Sequence, residues 1–114
     1  MHLNSSAPTP APPYYAVIFT SNKTQIDEGY GEMADKMFDL ASAQPGYLGA
    51  ESFRNEDGFG VTISYWQTLE DIKKWKQHWE HREAQQKGRA MWYTHYKLRI
   101  CRVERDYEFN ADSQ

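Results

Sequence analysis

The 114-residue sequence predicts an α+β fold in which two helices cover one face of a four-stranded antiparallel sheet, in the order β-α-β-β-α-β. Three observations lead there. Four runs rich in β-branched and aromatic residues occur near 14–21, 47–55, 59–66 and 94–103. Two stretches between them, about 26–43 and 69–79, carry apolar residues at helical spacing. An Asp57-Gly58 turn separates the second run from the third, as a hairpin requires.

The first strand, YYAVIFTS (14–21), is apolar at both parities: Tyr14, Ala16 and Ile18 on one face, Tyr15, Val17 and Phe19 on the other. Such a strand is covered on both sides. In the first helix Ile26, Tyr30, Met33, Ala34, Met37, Phe38 and Ala41 form a stripe, with Asp27, Glu28, Glu32, Asp35, Lys36 and Asp39 outside it. Gly29 and Gly31 weaken its first turns, so the firm part starts near Tyr30. Gln44-Pro45-Gly46 stops it. YLGAESFRN and FGVTISYW form the hairpin, with Gly49 and Gly60 as places for a bulge or a close approach. Thr68 caps the second helix, which sets Leu69, Ile72, Trp75 and Trp79 on one face and continues, with a kink, through HREAQQKGRAMW. In the last strand Tyr96, Leu98 and Ile100 alternate with Lys97, Arg99 and Cys101, and the phase slips near Ile100–Val103, where a bulge is expected. This order is the split βαβ arrangement of ferredoxin-like domains.

Residues 1–13 hold four of the five prolines among Ser, Thr and Ala, and read as a disordered tail. The folded domain spans 14–109, and 110–114 form a flexible C-terminus. The formal charge of −3, without a long basic block, argues against nucleic acid as a partner. A single cysteine, Cys101, rules out an internal disulfide and fits a reducing compartment; in a central strand it reads as a small buried hydrophobe. No apolar run is long enough to span a membrane, and the N-terminus lacks the apolar core of a secretory signal. A cytoplasmic location without membrane association is expected. Two helices cover one sheet face and no chain is left for the other, so a homodimer, packed sheet to sheet, is expected.

Residues 75–93, WKQHWEHREAQQKGRAMWY, gather three tryptophans, a tyrosine and two histidines. His78 and His81 are spaced i, i+3, but no cysteine or carboxylate at ligand spacing completes a metal set. Lys73, Lys74, Lys76, Arg82, Lys87 and Arg89 are offset by Glu70, Asp71, Glu80 and Glu83, as on a solvated helix face. The favoured reading is a helix whose Trp75 and Trp79 pack on the sheet and also frame an apolar cavity.

The motifs SYW (64–66), TLEDIKKW (68–75), EH (80–81), Ala84-Gln85, Gly88-Arg89 and WY (92–93), with PGYLGAES (45–52) ahead of the hairpin, resemble the antibiotic biosynthesis monooxygenase domain family over about residues 14–109. The resemblance implies a dimeric α+β barrel with a pocket between sheet and helices in each subunit. It also implies, in some members, oxidation of polycyclic aromatic phenols by molecular oxygen without metal or flavin. Other relatives degrade haem, and many have no assigned activity. The haem-degrading branch uses a tryptophan nine residues after the strand tryptophan, the place Trp75 holds relative to Trp66. Its strand-one asparagine would fall within Ala16–Thr20, whereas Asn22 lies beyond, and its axial histidine would fall at Glu83–Gln85, after His78 and His81. Haem as a cofactor therefore ranks below cofactor-free oxidation of a small aromatic molecule or simple binding of one.

Such chemistry needs a base and a polar group facing developing charge. His81 is the first candidate base and His78 the second. Tyr65, Trp66 and Trp75 are candidate pocket walls, Trp92 and Tyr93 close the other side, and Arg89 meets an anionic substrate. The competing roles are core packing for the tryptophans and a helix C-terminal cation for Arg89. An enzyme requires an enclosed apolar cavity of roughly 300–1,000 Å³ with a histidine or tyrosine hydroxyl pointing in; a binding module allows the aromatics to pack solidly.

Overall fold

The computed structural model describes residues 5–80 and 91–111, and shows the expected six elements. These are β1 (Tyr14–Lys23), α1 (Tyr30–Ser42), β2 (Tyr47–Arg54), β3 (Phe59–Trp66), α2 (Leu69–Glu80) and β4 (Tyr93–Val103). The sheet runs β2-β3-β1-β4 with every neighbouring pair antiparallel, which is the ferredoxin-like topology. No helix among the described residues is long and apolar enough to cross a membrane.

The turns follow from their residues. Gly58 has φ 97°, a conformation that costs other residues a Cβ clash, and it closes the β2–β3 hairpin. There the Asn55 N–H donates to the Phe59 carbonyl at 2.9 Å and the Gly58 N–H to the Asn55 carbonyl at 3.2 Å. Thr68 Oγ1 accepts the Asp71 N–H at 3.0 Å and donates to Asp71 Oδ2 at 2.8 Å, a capping arrangement that starts α2. Past β2's first residue the ladder shifts register between Tyr47 and Gly49, where the sequence places a bulge.

Two expectations are corrected. Pairing of β4 with β1 is unbroken from His95 to Val103, so no bulge interrupts Ile100–Val103; the irregularity lies at the other end, between the Asn22–His95 and Lys23–Tyr93 pairs. Val103 simply belongs to the opposite face, paired with Tyr14, and the apparent phase slip records apolar residues on both faces. Leu69 is 54 % exposed, so the buried stripe of α2 begins at Ile72.

The core between sheet and helices is small. Val17, Trp66 and Ile72 are buried, with Tyr15, Tyr47, Trp75 and Leu98 packed around them. Trp66 has no exposed surface, and it stacks on Trp75 with ring centroids 6.2 Å apart and planes at 21°. No residue of α1 is buried, despite its apolar stripe.

On the other sheet face Tyr14 and Ala16 are buried, while Phe53 is 67 % exposed. Cys101, paired with Ala16 across the ladder, is exposed on this face rather than buried, because neither helix covers it. Residues before β1 meet one end of the face: the Ala7 N–H donates to Glu51 Oε2 at 2.9 Å, and Thr9 Oγ1 donates to the Tyr14 hydroxyl at 2.9 Å. The Tyr14 hydroxyl in turn donates to Asp106.

Candidate functional site: an aromatic hollow between sheet and helices

The stripe of α1 faces a hollow of about 540 Å³ between the helices and the sheet. Protein interiors hold few voids larger than a water molecule, so a hollow of this size is a candidate site. Its size suits a small organic ligand. Met33, Ala34, Met37, Phe38 and Ala41 of α1 form one wall, and Ile72, Trp75 and Trp79 of α2 form the next. The floor comes from the helix-facing positions of the sheet, among them Val17, Phe19, Ser64 and Leu98.

Much of the lining is aromatic, and the rings brace one another. Phe19 lies 6.2 Å from Trp79, 5.7 Å from Tyr93 and 5.4 Å from Tyr96, centroid to centroid. Trp79 and Tyr96 meet edge to face at 6.0 Å. The irregularity at Thr94 lets Tyr93 and Tyr96, three apart in sequence, both reach the hollow.

One end of the hollow is polar. Arg54, Gly60 and Ser21 lie in one row across β2, β3 and β1. Arg54 reaches along this row: Nη2 donates to Ser21 Oγ at 2.8 Å and to the Tyr30 hydroxyl at 3.2 Å, and Nη1 donates to the Gly58 carbonyl at 2.6 Å. Gly60 makes room for it, since a Cβ there would sit 2.7 Å from Arg54 Cζ. The Tyr93 hydroxyl stands 3.5 Å from that of Tyr30, at the limit of a weak hydrogen bond. Burial, then the contact with Tyr30, pushes the Tyr93 phenol well above its ordinary value of 10, so it stays protonated at neutral pH.

The residues proposed from sequence separate clearly. Trp75, Trp92 and Tyr93 line the hollow. The Trp92 indole N–H donates to the Glu28 carbonyl at 3.2 Å, which fixes its ring beneath Tyr30. Trp66 lies behind Trp75 as core, its N–H donated to Ser64 Oγ at 2.9 Å. Tyr65 is on the opposite sheet face, where its hydroxyl donates to Glu51 Oε1 at 2.7 Å. Adjacent strand residues point to opposite faces, so Tyr65 and Trp66 cannot wall the same space. His78 is exposed on α2 with its ring edge-on to Trp75, and it does not line the hollow. His81 and Arg89 lie outside the described residues.

The sequence model of the antibiotic biosynthesis monooxygenase family matches residues 17–87. The chain belongs to that family. An uncharacterized Bacillus subtilis (strain 168) protein, YqjZ, is 50 % identical to it over 105 residues, 92 % of each chain. Among solved structures, PA3566 of Pseudomonas aeruginosa superposes with a TM-score of 0.63 at 12 % identity, covering 86 % of this chain and 99 % of that one. A candidate monooxygenase of Shewanella loihica PV-4 gives 0.57 at 20 % identity, covering 83 % and 99 %. At these identities the structural likenesses speak to the fold alone.

For this member of the antibiotic biosynthesis monooxygenase family, haem can be tested against the lining. No described histidine reaches the hollow, and the buried Tyr93 phenol resists the deprotonation that haem ligation by tyrosine needs. The described residues therefore offer the hollow no histidine as an axial ligand. The residues that sequence reasoning missed are Arg54, Tyr30, Ser21 and Tyr96. Arg54 had a readable signal: the Asp57-Gly58 turn sets the β2–β3 register, which places an arginine opposite a glycine on the helix-facing side.

Proposed function

We propose that the protein oxidises an electron-rich polycyclic phenol with molecular oxygen inside this hollow, without metal or flavin, the substrate supplying the electrons. In the balanced reaction a ring CH2 activated by the phenolate becomes C=O. One oxygen atom enters the product and the other leaves as water, carrying the two hydrogens. The protein's part is to hold the flat ring system, exclude water and stabilise the phenolate. The single observation supporting this reading is a hollow of about 540 Å³ walled by Phe19, Trp75, Trp79 and Tyr96, large and flat-sided enough for a fused-ring ligand. His81 is our proposed base, and Arg89 a proposed contact for an anionic group. A homodimer joined through the sheet face that carries Phe53 belongs to the same proposal, since that face exposes apolar side chains the helices leave uncovered.

The test is incubation of the purified protein with a panel of polycyclic phenols under ¹⁸O₂ and under nitrogen, with products read by mass. Expected is an oxygen-dependent product carrying one labelled oxygen, without added metal or flavin, and lost in His81→Ala. Saturable binding of the phenols with no oxygen-dependent product from any of them would overturn the oxidative reading and leave a binding module.

A further inference from the structure

We propose that Arg54, Tyr30 and Tyr93 form an anion-reading subsite at the hairpin end of the hollow, so that the preferred ligand is an aromatic bearing a carboxylate or phenolate. The inference rests on the hollow being the binding site and names the class of molecule it selects. First, the chain makes space for a cation there. Gly60 gives up a strand side chain, and a Cβ in its place would stand 2.7 Å from Arg54 Cζ and 2.9 Å from Nη1. Second, among the described residues the cation is positioned but not neutralised. Its partners among the described residues are the Ser21 hydroxyl and carbonyl, the Tyr30 hydroxyl and the Gly58 carbonyl, all uncharged, and no described carboxylate forms an ion pair with it. A guanidinium beside an apolar wall attracts an anion far more strongly than it would in water.

Third, the Tyr30 hydroxyl, held by Arg54 and Tyr93, completes a donor set. The Tyr30 oxygen accepts from Arg54 and faces the Tyr93 hydroxyl, which leaves the Tyr30 hydrogen to be donated to a ligand oxygen. Finally, the aromatic wall begins where the polar end stops, since Tyr30 meets Tyr93 at 6.1 Å and Tyr93 meets Phe19 at 5.7 Å. A flat ring against Phe19 and Trp79 would carry its anionic substituent toward Arg54. The competing role for Arg54 is a clip joining the hairpin to β1 and α1, which predicts no ligand discrimination at all.

Calorimetric titration under nitrogen with 2-naphthoate, its neutral amide and 2-naphthol separates the two. The wild type is expected to bind the carboxylate at least tenfold more tightly than the amide. In Arg54→Met that ratio falls to about one with amide affinity kept. Tyr30→Phe lowers the ratio severalfold with an unchanged melting curve, which keeps the test valid if Arg54→Met does not fold. The carboxylate preference holds level from pH 6 to 9, whereas naphthol tightens as it ionises; a preference seen for only one of the two identifies which anion the subsite reads. Equal binding of carboxylate, phenolate and amide, or a ratio that survives both variants, overturns the proposal. Because binding is read without oxygen, discrimination that persists while no phenol is oxidised sinks the oxidative reading alone. Oxidation of neutral and anionic substrates at equal affinity sinks the subsite alone.

Discussion

Ala34→Leu probes the space in front of α1. Ala34 sits half-buried on the stripe that faces the hollow, and no residue of α1 is fully buried. Leucine adds three carbons, each worth about 0.8 kcal/mol when removed from water, so the upper limit is about 2.4 kcal/mol. Ordering the new side chain opposes this by about 0.5–1 kcal/mol, and leucine's helix propensity is only slightly below alanine's. The net expectation is a gain of about 1 kcal/mol in urea unfolding, or about 4–8 °C in melting temperature for a domain of this size. The same substitution should weaken aromatic ligands, because it occupies part of their space. Overpacking a filled core costs about 1–3 kcal/mol instead. The sign decides: a loss of 2 kcal/mol would refute the claim that the hollow has room.

Three further outcomes are expected. Thr68→Ala removes the acceptor for the Asp71 N–H and should cost about 1 kcal/mol in urea unfolding, with Thr68→Ser restoring most of it. High pH should destabilise the fold. Burial raises the Tyr93 pKa above 10, so above pH 10 the unfolded chain loses a proton that the folded state keeps. Stability from this residue is thus full below about pH 10 and declines as pH rises further, a decline Tyr93→Phe should soften; phenolate absorbance during an alkaline titration checks it. Phe53→Asp, on the sheet face away from the helices, should convert the proposed dimer to a monomer in sedimentation velocity; an unchanged sedimentation coefficient at micromolar protein counts against that interface.

The fold was readable because each element carries its own punctuation. Alternation in FGVTISYW, bounded by Asp57-Gly58 and Thr68, matches β3 residue for residue, and the Tyr30-to-Ala41 stripe gives α1 with its start and stop. Residue pairings across the sheet were harder to see. Tyr65 and Trp66 are adjacent in sequence, yet strand parity puts them on opposite faces, and α2 turns Ile72, Trp75 and Trp79 inward rather than His78. Arg54 escaped because its meaning lies in a row of three residues, Arg54, Gly60 and Ser21, from three strands. Periodicity finds a buried stripe, but it does not say whether that stripe meets other side chains or a cavity. For α1 it meets a cavity, and only the tertiary arrangement shows this.

The most direct test of the account is a crystal structure of the protein with the tightest-binding aromatic acid or phenol from the titrations. The account predicts the ring system between α1's Met33 and Met37 and the Phe19–Trp79 wall, with its anionic oxygen within hydrogen-bond distance of Arg54 or Tyr30. A ligand seated on the Phe53 face or elsewhere on the surface, with the hollow closed by inward movement of α1, would contradict it.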